Sequence, residues 1–301
     1  MKQAASLAPR GPAAFPDWRF ETVVIDYDEE TQSVWMNYAA DGPPCFTPQT
    51  LRDMAATRDL LQGLFAAGLT ECWPIRYFVI GSNKPGVHGL GGDLAIFAAS
   101  IRTRDRDALV AYALACVDLI HSLLQGLDLP IVTLSAVQGQ CLGGAFEATL
   151  ACDFILAEET AKFGVPEVAF NSFPGMGAVS MLTRRLGPAL ARTIIGDGRV
   201  HSGREMRDLD IVDEIAPDGA IGDAARAWMR RADADRWRCR RAIAEARRRF
   251  FPIPRSELVR IARLWAECSC RIDAGDLRHM ERLVLAQQRL SGASRAAPPP
   301  R

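Results

Sequence analysis

Hydrophobic and polar positions change period several times along this chain, and each change marks an element. Residues 20–26 alternate and are rich in β-branched side chains. Residues 33–38 resume after the turn-prone Asp28-Glu29-Glu30-Thr31, which predicts a hairpin. Gly42, Pro43, Pro44 and Pro48 form a loop, and Thr47 or Thr50 can cap a helix with Leu51, Met54, Leu60, Leu61 and Leu64 on its apolar side. A short apolar strand over 75–81 feeds a glycine-rich loop, 82–93. Residues 94–124 read as helix with a break near 103–107. A further strand, 130–137, runs into a second glycine-rich turn and a helix over 145–152. Another strand follows at 154–157. Helices are predicted over 178–186, 189–196 and 201–208, and a last strand over 211–215.

Strand signals stop beyond residue 220. Residues 224–249 and 256–290 read as helices divided by Pro252-Ile253-Pro254, and Leu258, Ile261, Leu264, Trp265, Cys268 and Ile272 fall at helical spacing on the second. The predicted organisation is a loose tail over 1–17, an α/β core over 18–218, a helical segment over 219–290 and a second tail over 291–301.

Composition narrows the class without choosing a function. The 301 residues are 49% hydrophobic and 24% charged with a formal net charge of zero, so nothing global favours nucleic acid or an anionic surface. The eight cysteines show neither a CxxC pair nor a histidine-rich spacing, so no metal site is expected, and several sit in apolar runs as buried thiols would. The N-terminus lacks a long apolar core and no run approaches about twenty apolar residues, which predicts a cytoplasmic protein with no membrane span.

The candidate chemistry lies in two glycine-rich turns and two glutamates. Gly89-Leu90-Gly91-Gly92-Asp93-Leu94 joins a strand to a helix; it lacks the Gly-Lys-Ser/Thr of a phosphate loop and the last glycine of a dinucleotide fingerprint. What remains is a junction that presents backbone N–H donors. Gly139-Gln140-Cys141-Leu142-Gly143-Gly144-Ala145-Phe146-Glu147 is a second such junction. Donors at a helix N-terminus suit an oxygen that is gaining negative charge. Glu147 lies just inside that helix, and Glu167 follows twenty residues on, after Pro166. Two carboxyls near one oxyanion-binding turn suggest proton transfer beside a carbonyl. Taken singly, Glu147 could merely complement a helix dipole and Glu167 could be a surface residue. No G-x-S-x-G elbow is present, which argues against a serine thioesterase.

In combination, x-x-G-G-D-L after a strand, then G-x-x-x-G-G-x-x-E, then P-E-V resembles the crotonase (enoyl-CoA hydratase/isomerase) superfamily over about residues 20–290. Within it, the three stretches Gly89–Leu94, Gly143–Ala148 and Phe173–Ala178 look most like diffusible signal factor synthases, which make cis-2-unsaturated fatty acid signals. The resemblance implies a crotonase-like spiral of ββα units, with a helical C-terminal segment that caps the pocket and supports a homotrimer. It implies an oxyanion hole from the N–H groups of Gly92 and Gly144, with Glu147 and Glu167 as acid and base. It also implies a 3-hydroxyacyl substrate carried on the phosphopantetheine of acyl carrier protein or coenzyme A, with no further cofactor. A sensor kinase is an implied partner. The acyl pocket would draw on Leu90, Phe146, Phe170, Phe173, Met176 and Trp265, although the aromatic positions fit ordinary core packing as well. General hydratases follow the second glutamate with P-G-x-G-G-T, where this chain has Gly177-Ala178-Val179-Ser180. Ten arginines over 224–249, among them Arg240 and Arg241, read either as a solvated helical face or as a docking surface for an acidic carrier. A regulatory protein that holds a lipid or a sensor is the reading from another class.

Overall fold

A computed structural model describes residues 14–290 of the protein. The N-terminal hairpin forms as expected, from β1 (Val23–Asp28) and β2 (Ser33–Tyr38) in antiparallel register. Three strand pairs follow, each built to the same plan. β3 (Tyr77–Ser82) is followed by a short β4 (Val87–Gly89) and the helix Leu94–Thr103. β5 (Val132–Val137) is followed by β6 (Gln140–Leu142) and the helix Gly144–Leu150. β7 (Phe154–Glu158) is followed by β8 (Lys162–Gly164) and the 3-10 turn Pro166–Phe170. β9 (His201–Ser202) and β10 (Glu214–Ala216) are the last strands among the described residues.

Among the described residues the long strands form a six-stranded sheet in the order β1-β2-β3-β5-β7-β10, parallel from β2 onward, and the short ones form a second sheet, β4-β6-β8-β9. Each repeat contributes one strand to each sheet before turning into its helix, which is the expected spiral of ββα units. Every residue of β2 and β5 is buried, as a sheet covered on both faces requires. One face packs on the main core. The other packs Trp35, Val79, Val132, Leu134 and Leu156 against Ala225, Trp228 and Met229. Each such aliphatic side chain, fully buried, contributes about 1.5–3 kcal/mol.

Several boundaries differ from those the sequence suggests. Order reaches upstream of residue 18, because Phe15 stacks on Tyr27 at 4.7 Å and meets Trp18 edge-on. The expected tails at 1–13 and 291–301 lie outside the described residues. The break in the long apolar helix falls at Arg104, whose left-handed backbone separates Leu94–Thr103 from Arg106–Leu124. Arg106–Leu124 is apolar enough by length and composition to cross a membrane, more so than reading the apolar runs suggested; here Leu109, Val117, Ile120 and Leu123 from it are part of the core. Among the described residues the two expected C-terminal helices are four: Ile221–Arg230, Ala234–Phe250, Arg255–Ser269 and Ala274–Leu290. Asp233 caps the second through the Arg236 N–H, a polar cap hidden inside an arginine-rich run.

Three arginines of Ala234–Phe250, Arg240, Arg247 and Arg248, tie that helix to its neighbours, whereas Arg236, Arg238 and Arg249 are exposed, as a solvated face has them. The Arg240 guanidinium sits 3.8 Å from the Trp228 ring centroid and donates to the Trp228 carbonyl at 3.1 Å. Arg241 lies over Trp237, and Arg248 forms a buried ion pair with Asp153.

Candidate active site

Two peptide planes define the site. The Phe46 N–H donates to the Gly91 carbonyl at 2.8 Å, and in a trans peptide the Gly92 N–H must then point the opposite way. The Glu147 N–H donates to the Gly143 carbonyl at 3.1 Å, which by the same geometry sends the Gly144 N–H out of its helix N-terminus. Both Gly92 and Gly144 line one small cavity. The turns carrying them touch: a Cβ on Gly91, whose φ is +77°, would lie 2.4 Å from the Gly144 nitrogen. Only glycine allows that approach.

The residues around each turn explain its shape. Asp93 caps the helix Leu94–Thr103 by accepting from the Ala95 and Ile96 N–H groups at 3.0 and 3.3 Å. The Tyr112 hydroxyl accepts from the Asp93 N–H at 3.0 Å and donates to the Phe46 carbonyl, tying the long apolar helix to the same turn. Gly143, at φ +54° and ψ −132°, lets β6 turn directly into its helix, and its N–H is taken by the Gly164 carbonyl at 2.8 Å.

The two carboxyls converge on that second turn but in unlike surroundings. Glu147 is 1% exposed, and its Oε1 accepts from the Met176 and Ala178 N–H groups at 2.9 and 2.8 Å. Glu167 is partly exposed as a residue, yet its Oε2 is buried without a hydrogen-bond partner and its Oε1 lies against the Cα of Gly143. Burial pushes Glu147 up to about 7, against the pull of the Ala178, Met176 and Gly177 N–H groups. Burial and then the charge of Glu147 push Glu167 up to about 8. Hydrogen bonds favour ionisation at Glu147, and nothing comparable opposes burial at Glu167. Near neutrality the pair therefore retains a proton, with the negative charge favoured on Glu147.

The cavity is about 30 Å³, room for a single water, and it is otherwise apolar. Of the expected pocket residues, Phe170, Met176 and Trp265 line it; Leu90 and Phe173 are not in its wall. Phe146 points elsewhere, fully buried against Phe163 at 5.3 Å, because alternate faces of a short helix cannot both meet the cavity. Phe97, Tyr112, Ala113, Cys116 and Gly175 complete the lining and escaped the sequence reading. Phe97 stood one helical turn beyond Gly92, a signal available in the sequence. Tyr112, Ala113 and Cys116 had none to distinguish them from other core positions of their helix. The Phe97 ring covers Gly92, the Met176 sulfur covers Gly144, and Trp265 covers Gly175.

An enoyl-CoA hydratase/isomerase family model matches residues 75–249, more than half of the chain and the whole of the segment that carries both turns and both glutamates. The protein belongs to that family, the crotonase superfamily. Mitochondrial methylglutaconyl-CoA hydratase of Rattus norvegicus is 32% identical over 151 residues, which cover 50% of this chain and 46% of that protein. The chain spans about half the length of the curated relatives it matches. Among solved structures, an enoyl-CoA hydratase/isomerase from Xanthobacter autotrophicus Py2 superposes with a TM-score of 0.68 at 19% identity, covering 94% of this chain and 100% of that one. Pseudomonas aeruginosa DspI superposes with a TM-score of 0.58 at 19% identity, covering 80% and 93%. At these identities the structural likeness is one of fold.

Proposed function

We propose that this chain dehydrates 3-hydroxyacyl thioesters and then hydrolyses the thioester, releasing a cis-2-unsaturated fatty acid of the kind used as a quorum-sensing signal. The observation that carries the reading is the pair of raised carboxyls, Glu147 and Glu167, at a turn where two fixed N–H groups face one apolar cavity. Enolate formation needs stabilisation of the carbonyl oxygen, and each preorganised donor contributes ~3 kcal/mol at such a transition state. One glutamate takes the C2 proton, the C2–H electrons form the C2=C3 bond, and the 3-hydroxyl leaves as water with a proton from the other. In the second stage water adds to the thioester carbonyl in the same hole, and the thiol departs as the free acid forms.

Acyl carrier protein or coenzyme A carries the substrate in this reading, the active species is a homotrimer in the cytoplasm, and the helices from Ile221 onward serve as pocket cap and subunit contact. Apolar side chains exposed there, Ile243, Phe250, Phe251, Leu264 and Leu285, suit subunit contact. The names of the relatives favour a second reading, reversible hydration or isomerisation of an enoyl-CoA. Incubation with 3-hydroxydodecanoyl thioester on acyl carrier protein and on coenzyme A, followed by mass spectrometry, separates the two. Free cis-2-enoic acid is expected; trans-2-enoyl-CoA in equilibrium with its hydrate, without release of acid, would establish the second reading instead.

A further inference from the structure

We propose that Gln287, on the last described helix, is a positioning residue that sets the oxyanion turn. This rests on the reading of Gly92 as an oxyanion donor. The Phe46 N–H fixes only the Gly91–Gly92 peptide plane. The Tyr112 hydroxyl holds the Gly92–Asp93 plane through the Asp93 N–H, and one carboxamide from far along the sequence engages the carbonyl of that plane together with the carbonyl of the Leu90–Gly91 plane. Its Nε2 donates to the Gly92 carbonyl at 3.1 Å and to the Leu90 carbonyl at 3.4 Å, while its Oε1 accepts from the Leu94 N–H at 3.3 Å.

A primary amide is suited to this task because it offers two donors and an acceptor in one plane. A carboxylate at the same place would face two carbonyl oxygens. An apolar side chain of equal length would leave two carbonyls and an N–H without this partner at a half-buried turn. The Gln287 side chain is buried, so solvent does not readily replace it.

The helix that carries Gln287 is held at several points. The Lys84 ammonium donates to the Leu290 carbonyl at 3.0 Å, Asn171 donates to Asp276 at 2.9 Å, and Arg102 pairs with Glu281. Asn171 ends the 3-10 turn that bears Glu167. One helix thus spans both halves of the site, with its carboxamide on the half that supplies a donor and no acid.

The test compares Gln287→Met, which keeps length and packing, with Gln287→Glu and with Arg102→Gln, which cuts an exposed tie of the same helix. A displaced oxyanion turn loses rate more than affinity. The full chain carrying Gln287→Met should show kcat on 3-hydroxydodecanoyl thioester reduced about 10- to 100-fold, with KM within about threefold of wild type. Arg102→Gln should leave both within about threefold, and Gln287→Glu should be no better than Gln287→Met. Amide hydrogen exchange gives a readout that does not depend on turnover: Leu94 should exchange faster in Gln287→Met and at the wild-type rate in Arg102→Gln. Unchanged kcat in Gln287→Met, an equal loss in Arg102→Gln, or unchanged Leu94 exchange would each overturn the proposal. A wild-type protein inactive on both carriers, with Leu94 exchange altered as expected, would count against the reaction and leave the placement of Gln287 intact.

Discussion

Glu147 and Glu167 are the same residue type twenty positions apart, and their difference is entirely one of surroundings. Two N–H donors hold an oxygen of Glu147, while an oxygen of Glu167 has no partner at all. Both folded-state values lie above the ordinary carboxylate value, so the native protein holds more protons than the unfolded chain between about pH 4.5 and 8. Stability contributed by these groups is therefore lost as pH rises through that window, the reverse of a salt-bridged carboxylate. Thermal melts of wild type and Glu167→Gln at pH 5 and pH 8.5 should show a larger drop in Tm for wild type, on the order of a few degrees. Parallel curves would show that Glu167 does not carry the proton. Gly91 is the other residue on which the site turns. Gly91→Ala pushes a methyl onto the Gly144 nitrogen and should lower kcat at least 100-fold in a protein whose circular dichroism is unchanged. Both glutamates and both glycine turns could be picked out in the sequence only in combination, because each taken singly fits an ordinary loop, helix start or surface position. The donors feeding Glu147 could not, since a backbone N–H from Met176 or Ala178 leaves no mark in the sequence.

At the scale of elements, strands and helices with a clear period were legible, such as β2, β5 and Pro48–Ala66. The short strands β4, β6 and β8 were not. Three residues are too few to show alternation, and the glycines within β4 and β8 and on either side of β6 read as loop. The spiral came instead from the family resemblance, which supplied what periodicity lacked. The role of the arginine-rich helix was also hidden, because a guanidinium that binds a ring or carbonyl has the same letter as one in solvent. Asp153 shows how firmly that helix is tied. It accepts from the Thr133 N–H at 2.8 Å and from Arg248 Nε at 3.0 Å, and the Arg248 side chain is 15% exposed. Removing one partner of a buried pair costs about 3–5 kcal/mol. Arg248→Met should lower the unfolding free energy in urea by that amount; a change below about 1 kcal/mol would mean the pair is solvated in practice.

At the scale of the molecule, the described residues present two sheets, a core on both faces of the larger one, and apolar side chains left exposed on the C-terminal helices. Phe250 is 77% exposed and meets Phe251 edge-on at 4.7 Å, an arrangement suited to contact with another subunit. Light scattering of the purified protein should give about three times the 33.0 kDa chain mass, and Phe250→Glu should shift it toward the monomer. A monomeric wild type would leave those rings without the proposed occupant.

In the proposed reaction the carboxyls at 147 and 167 move protons at C2 and the 3-hydroxyl of a thioester held by two backbone dipoles. Its most direct test is the fate of deuterium in 3-hydroxydodecanoyl thioester labelled at C2. Wild type should release one deuterium per product with a primary isotope effect, while Glu147→Gln and Glu167→Gln, both folded, should each fall by at least about 100-fold. Product that retains all its label, or either variant working at the wild-type rate, would contradict the account.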